Sequence, residues 1–292
     1  MKRTSLLLAF IFIASPAIAA DKTKKTKEVE RAAIPSVATP PEKPWEPVSF
    51  VLSENQLPAK FRGTDQAKFL KLFEAKVGAL KKGEFETTEE FSRRTENVEA
   101  TLAPITTSDL YAFRMPLIEF KYDADAQAYS IGTNYGAACR PASYTQKNWI
   151  TCKVGQVSRK ESTYTGSNAY GATREIDSTE GLDFGLAFPS GDSLLSSGFF
   201  VADRRFTGWY QYQDKLPVSL EKAKELKGKL ISVLFVGQVT DAKIIRGQGF
   251  YTSATIDSPT KWSIAEDAVP FRLRKIIYYV LETGEILGER TL

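Results

Sequence analysis

Hydrophobic spacing changes character three times along the chain. Leu6 to Ile13 is a short, unbroken apolar run. After a polar, proline-rich stretch, Phe69, Leu72, Phe73, Val77 and Leu80 recur at i, i+3 and i+4, which predicts an amphipathic helix. Thr64 stands where its N-cap belongs and Gly83 where its C-cap belongs. A second helix is expected from Thr87-Thr88-Glu89-Glu90, a capping box with Thr87 as cap and Glu90 three residues on. Glu89 with Arg93 and Glu90 with Arg94 are i,i+4 pairs in the favourable order, and Pro104 ends the segment.

Beyond residue 108 the pattern becomes that of strands. Leu117 to Tyr122 and Ala128 to Ile131 flank the turn Asp123-Ala124-Asp125, as in a hairpin. Leu182 to Phe188, Phe199 to Val201 and Glu285 to Leu287 read as short strands, and Phe271 to Leu281 as a longer one. Leu230 to Val239 is almost continuously apolar, as a central strand buried on both faces should be. Ser219 to Leu226 reads as one further short helix. Two N-terminal helices followed by a mostly antiparallel sheet with one further short helix predict an α+β fold. Residues 48–292 are expected to hold it, as one domain or two subdomains.

The first apolar run changes meaning once its flanks are read. Lys2 and Arg3 precede it, and Ala17-Ile18-Ala19 follows, the layout of a secretory signal cut after Ala19. Eight apolar residues are too few to span a bilayer core of about 30 Å. Residues 20–47 then read as a lysine- and proline-rich tether, with Pro35, Pro40, Pro41, Pro44 and Pro47 favouring extended backbone. Lys22, Lys24, Lys25 and Lys27 offer at most peripheral contact with an anionic membrane surface. Trp45, Phe50, Val51 and Leu52 are apolar enough to dock on the domain that follows. The expected location is therefore outside the cytoplasm, in the periplasm or the exterior.

Loss of Lys2 and Arg3 with the signal lowers the net charge from +4 to +2. Such a chain carries no global field for nucleic acid. An oxidising compartment also gives Cys139 and Cys152, the only two cysteines, a role as a disulfide. Tyr129 to Cys139 and Trp149 to Val157 read as strands around a polar turn near Tyr144 to Lys147, which sets residue 139 against 152. The rival reading, a redox pair, lacks the CxxC spacing.

Lys82-Gly83-Glu84-Phe85-Glu86-Thr87-Thr88-Glu89-Glu90-Phe91, Gly166-Ser167-Asn168-Ala169-Tyr170-Gly171-Ala172 and Ala254-Thr255-Ile256-Asp257-Ser258-Pro259 resemble segments recurring in uncharacterised exported bacterial proteins. The resemblance runs in patches over residues 65–290. It implies an α+β secreted domain and supplies neither an activity nor catalytic residues.

The chain has no histidine, which removes imidazole-based triads, HExxH zinc sites and imidazole general bases. Ser219-Leu220-Glu221-Lys222 is a literal SxxK, but no KTG follows; Glu282-Thr283-Gly284 lacks the lysine, and Ser53-Glu54-Asn55 lies upstream. A helix cap explains Ser219 better. Residues 123–134 fail as a calcium loop, and Gly247-Gln248-Gly249 is a lone GxG; no metal or cofactor is expected. Nearby carboxylates (Asp123 with Asp125; Asp177 with Glu180 and Asp183; Glu282 with Glu285) read as solvated turns.

Two aromatic segments remain as binding candidates. Tyr164, Asn168 and Tyr170 lie among Gly166, Ser167 and Gly171, a mixture suited to stacking and hydrogen bonding. Arg204 and Arg205 precede Phe206, Trp209, Tyr210 and Tyr212, which read either as an aromatic–basic patch or as an alternating strand with one buried face. The sequence therefore favours a non-enzymatic binding or scaffolding module whose partner is a periplasmic protein or a cell-envelope glycan. A carboxylate-dependent hydrolase of envelope polymer is the alternative.

Overall fold

The computed structural model describes residues 44–292 apart from 53–55, 81, 97, 116–117, 134–138 and 205. The expected signal and residues 20–43 of the expected tether lie outside the described residues, as does the SxN segment at 53–55. Strands hold 47% of the described residues and helices 16%, so the α+β expectation is corrected to a sheet-dominated fold. The helices are short: α1 (Gln66–Gly78), α2 (Thr88–Thr95), α3 (Val98–Leu102) and α4 (Leu220–Leu226).

Thirteen strands join one mixed sheet. They are β1 (Tyr111–Met115), β2 (Ile118–Asp123), β3 (Ala128–Thr133), β4 (Cys139–Pro141), β5 (Trp149–Ser167), β6 (Thr173–Pro189) and β7 (Phe200–Ala202). After them come β8 (Tyr210–Pro217), β9 (Ile231–Val239), β10 (Ile245–Arg246), β11 (Phe250–Thr252), β12 (Thr260–Val280) and β13 (Ile286–Thr291). The order is β1-β9-β12-β6-β5-β4-β8-β3-β2, with β10, β11 and β13 on β12 and β7 on β8.

The 21-residue strand β12 organises this arrangement. Its first half runs parallel to β6, from Thr260 beside Asp177 to Pro270 beside Ala187. Its second half runs antiparallel to β9, from Phe271 beside Val239 to Val280 beside Ile231. Pro270, which has no N–H to donate, sits where the strand exchanges one neighbour for the other. As expected, β9 is buried on both faces: Val233 and Phe235 join the main core, while Leu234 and Val236 meet Phe50, Leu57 and Tyr279 in a second cluster. Trp45 and Leu52 also pack inward, but Val51 is exposed.

Local capping follows the sequence in part. In α2, Thr87 Oγ1 accepts from the Glu90 amide (3.2 Å) and Glu90 Oε2 from the Thr87 amide (2.8 Å). Arg94, however, pairs with Glu86 (2.8 Å) and holds that carboxyl down at about 2. Helix α1 is capped by Asp65, whose carboxylate accepts from the Lys68 amide (3.0 Å), and it ends at Gly78, before Gly83. Phe69 and Phe73 anchor α1 on the sheet, with Phe69 5.1 Å from both Tyr111 and Phe113.

Helix α1 also presents Glu74 to Asp267 of β12. Burial, with the neighbouring Asp267 carboxylate, pushes Glu74 from its ordinary 4.5 up to about 7, and Arg246 only partly offsets this. Between those values the folded state holds a proton that the unfolded chain has released. Stability is therefore expected to fall as pH rises from about 4.5 to about 7 and to level off above. The chain has no histidine and its cysteines are paired, so few other side chains titrate there. Melting temperatures from pH 5 to 8 should decline for the wild type and stay nearly level for Glu74→Gln. Equal slopes would remove Glu74 as the cause.

Candidate functional site

On the sheet face opposite α1, strands β4, β5, β6 and β12 carry a cluster of buried charge. Asp183 of β6 and Glu266 of β12 are strand partners, both almost fully buried. Two adjacent carboxylates in a poorly solvated place need counter-charges. Lys153 Nζ lies 2.7 Å from Asp183 Oδ2, Arg159 Nη2 lies 2.7 Å from Asp183 Oδ1, and Arg140 Nη2 lies 2.9 Å from Glu266 Oε2. Glu266 Oε1 has no hydrogen-bond partner among the described residues. Three cations thus face two carboxylates.

Irregular pairing brings Arg159 into this cluster. Lys153 lies opposite Gly185 and Arg159 opposite Gly181, so six steps along β5 match four along β6. The difference comes from register shifts between Lys153 and Gly155 and between Gln156 and Ser158. As a result Lys153 and Arg159 flank Asp183, two residues to either side. With regular pairing Arg159 would face Thr179, about 13 Å from Asp183 along the strand. A Cβ at Gly181 would stand 2.3 Å from Arg159 Nη1, so the glycine lets the arginine lie flat across β6.

The lone GxG also belongs here. A Cβ at Gly247 would lie 2.5 Å from Glu266 Oε1, and the Gly249 carbonyl accepts from Arg140 Nη1 at 3.2 Å. These glycines accommodate a buried carboxylate and its arginine, which is a different task from cradling phosphate.

Over this charged floor opens a cleft of about 670 Å³, lined by Arg140, Lys153, Arg159, Asp183, Phe206, Trp209, Phe250, Trp262 and Ile264. Its aromatic walls form two pairs. Phe206 and Trp209, from the loop between β7 and β8, lie 4.7 Å apart, and Arg140 stacks 5.3 Å from the Trp209 ring. Phe250 of β11 and Trp262 of β12 meet edge to face at 6.1 Å. Phe206 and Phe250 are about half exposed, and Trp262 is exposed as well. Large apolar rings concentrated around one opening make this cleft the candidate site.

The sequence-predicted candidates are placed as follows. Tyr164, on the β5 arm, and Asn168 and Tyr170, in its hairpin turn, lie outside the cleft lining. Asn168 Oδ1 accepts from the Tyr170 and Ala172 amides, each 3.0 Å, so it shapes the turn, and Tyr170 is 95% exposed. In the 204–212 segment, Phe206 and Trp209 reach the cleft while Tyr212 is core. Ser219 caps α4, and Lys222 Nζ pairs with Glu225 (3.1 Å) and Glu285 (2.5 Å). Asp123 accepts from the Asp125 and Ala126 amides in a turn. Asp183, read as a solvated turn residue, is instead buried beneath the cleft. Arg140, Lys153, Phe250, Trp262 and Glu266 carried no motif that would have singled them out.

Cys139 and Cys152 form the expected disulfide, directly across β4 and β5. Both cysteines face the core, so the next residues, Arg140 and Lys153, emerge on the cleft side. Among the described residues no group of histidine, cysteine or carboxylate side chains is suited to hold a metal, and no helix is long and apolar enough to cross a membrane. No protein-family model, curated protein or solved structure matches the chain.

Proposed function

We propose that this protein is a non-enzymatic binding module of the bacterial envelope, exported by its N-terminal signal, and that the aromatic cleft is its ligand site. One observation carries the reading: exposed rings surround a cleft whose carboxylates are already engaged by cations. The hydrolase alternative needs a carboxyl able to give a proton to a leaving group and a second to act on the sugar. Here both Asp183 oxygens are taken by Lys153 and Arg159, and Glu266 lies beneath the floor with its side chain 1% exposed. The disulfide and the signal-like N-terminus both suit an exported protein.

The test is co-sedimentation of the purified chain with isolated envelope polymer. The wild type should pellet with it. Trp209→Ala/Trp262→Ala should stay in solution while melting within about 2 °C of wild type. No retention of the wild type, or equal retention of the variant, overturns the reading. Release of new reducing ends by the wild type overturns it in favour of the hydrolase.

A further inference from the structure

We infer that the ligand is an acidic saccharide, a sugar unit bearing a carboxylate that docks on the Lys153 ammonium. This rests on the cleft being the ligand site and adds the chemistry of what it takes. Three features lead there.

The first is the charge count. Arg140, Lys153 and Arg159 oppose only Asp183 and Glu266, so the cluster keeps one positive charge that protein groups do not neutralise. Such a residual charge, in a place partly shielded from water, favours an anion. One surplus charge matches one carboxylate. A nucleic-acid strand would bring a series of phosphates and needs a groove of unpaired cations to track them.

The second is the supply of donors. Arg140 spends two of its five N–H donors, on Gly249 and Glu266, and Arg159 two of its five, on Ser158 and Asp183, so both guanidinium groups can support an anion that the central ammonium holds. Lys153 meets only Asp183 among the described residues. An ammonium has three donors, so two stay available to a ligand oxygen. Lys153 also lies between the two arginines, since Arg140 pairs with Thr151 and Arg159 follows farther along β5.

The third is the shape of the walls. Trp209 and Trp262 belong to separate aromatic pairs, and both line the cleft. Aromatic faces accept the C–H faces of pyranose rings, while ring edges and indole N–H groups meet hydroxyls. A volume of about 670 Å³ lies inside the range of sites that enclose small ligands.

The experiment is calorimetric titration of the full chain with oligogalacturonate, alginate and hyaluronan fragments, each beside its carboxyl-reduced form. Reduction replaces the carboxylate by a primary alcohol and leaves the ring intact. At least one acid should bind, and at least ten-fold more tightly than its reduced partner. Lys153→Met should bring that ratio to near one while Arg159 still holds Asp183. Should this variant fail to fold, the acid-to-alcohol ratio of the wild type decides alone. Binding of acid and alcohol with equal affinity, binding of none of the acids, or tighter binding of a single-stranded oligonucleotide overturns the inference. Envelope co-sedimentation persisting in those cases shows that the binding-module reading survives and only the ligand class has failed.

Discussion

Asp183→Ala is expected to cost about 3–5 kcal/mol of folding stability, a large loss for one truncated side chain. The side chain is 7% exposed and is held at 2.7 Å by both Lys153 and Arg159. Its removal leaves two like charges side by side, each less than a fifth exposed, with nothing between them. The loss reports mainly the stranded cations, because a buried pair repays little beyond the desolvation of its members. Replacing the set together, with Lys153→Met, Arg159→Leu and Asp183→Leu, should therefore recover most of the stability. Urea titrations of the wild type, the single variant and the triple variant check this. A loss below about 1 kcal/mol for Asp183→Ala would place these groups among solvated surface pairs. A triple variant no better than the single would mean the network itself holds the strands together.

The same network explains which parts of the fold were legible in the sequence. Segments whose apolar residues alternate or run continuously showed themselves, as β9 and the second half of β12 did, and α2 was read from its capping box at Thr87 and Glu90. The cross-strand placement of Cys139 and Cys152 was also legible, since it needed only a short hairpin centred on its turn. The first half of β12 was not. Glu266 and Asp267 are buried there, and charged letters at buried positions erase the alternation that signals a strand. The outer arms of β5 and β6 failed for the opposite reason. They are mostly exposed on both faces, so their polar letters gave no period at all. Counting those lengths as loop is what tilted the expectation toward α+β.

The site was hidden more deeply. Arg159 reaches Asp183 only because β5 gains two residues over β6; Gly155, an isolated glycine in a strand, marks the first shift, but no letter marks the second, between Gln156 and Ser158. Arg140 and Lys153 come together in the β4–β5 hairpin, but Glu266 lies 126 residues beyond Arg140 and joins them only through the parallel pairing of β6 with β12. The aromatic–basic segment at 204–212 was recognised, but its residues divide between cleft and core. Phe206 and Trp209 precede the strand, whereas Tyr212 lies within it and packs against Phe235 at 5.4 Å. Gly247 and Gly249 were visible as a motif. Their function becomes plain only when the carboxylate and the arginine that use them are placed alongside.

Replacing the disulfide should weaken both fold and site. Cys139→Ala/Cys152→Ala is the suitable variant, because both positions are fully buried and a serine hydroxyl there would lack a partner. Removing a cross-link that closes a loop of this length costs about 3 kcal/mol in the chain-entropy account. Strand β4 is only three residues long, yet Cys139 pairs with Cys152 of β5 on one side and Tyr210 of β8 on the other. The bond therefore fastens a short strand that links two parts of the sheet. Arg140 rides on that strand and stacks on Trp209, so a loosened β4 displaces one cation and one wall of the cleft together. Urea unfolding of the oxidised protein, the TCEP-reduced protein and the double-alanine variant should give midpoints that fall together in the last two. Retention on envelope polymer should weaken in the same two samples below their unfolding transitions. Unchanged retention, with stability lost, would mean that β4 is held in place by its neighbours and that the disulfide serves the fold alone.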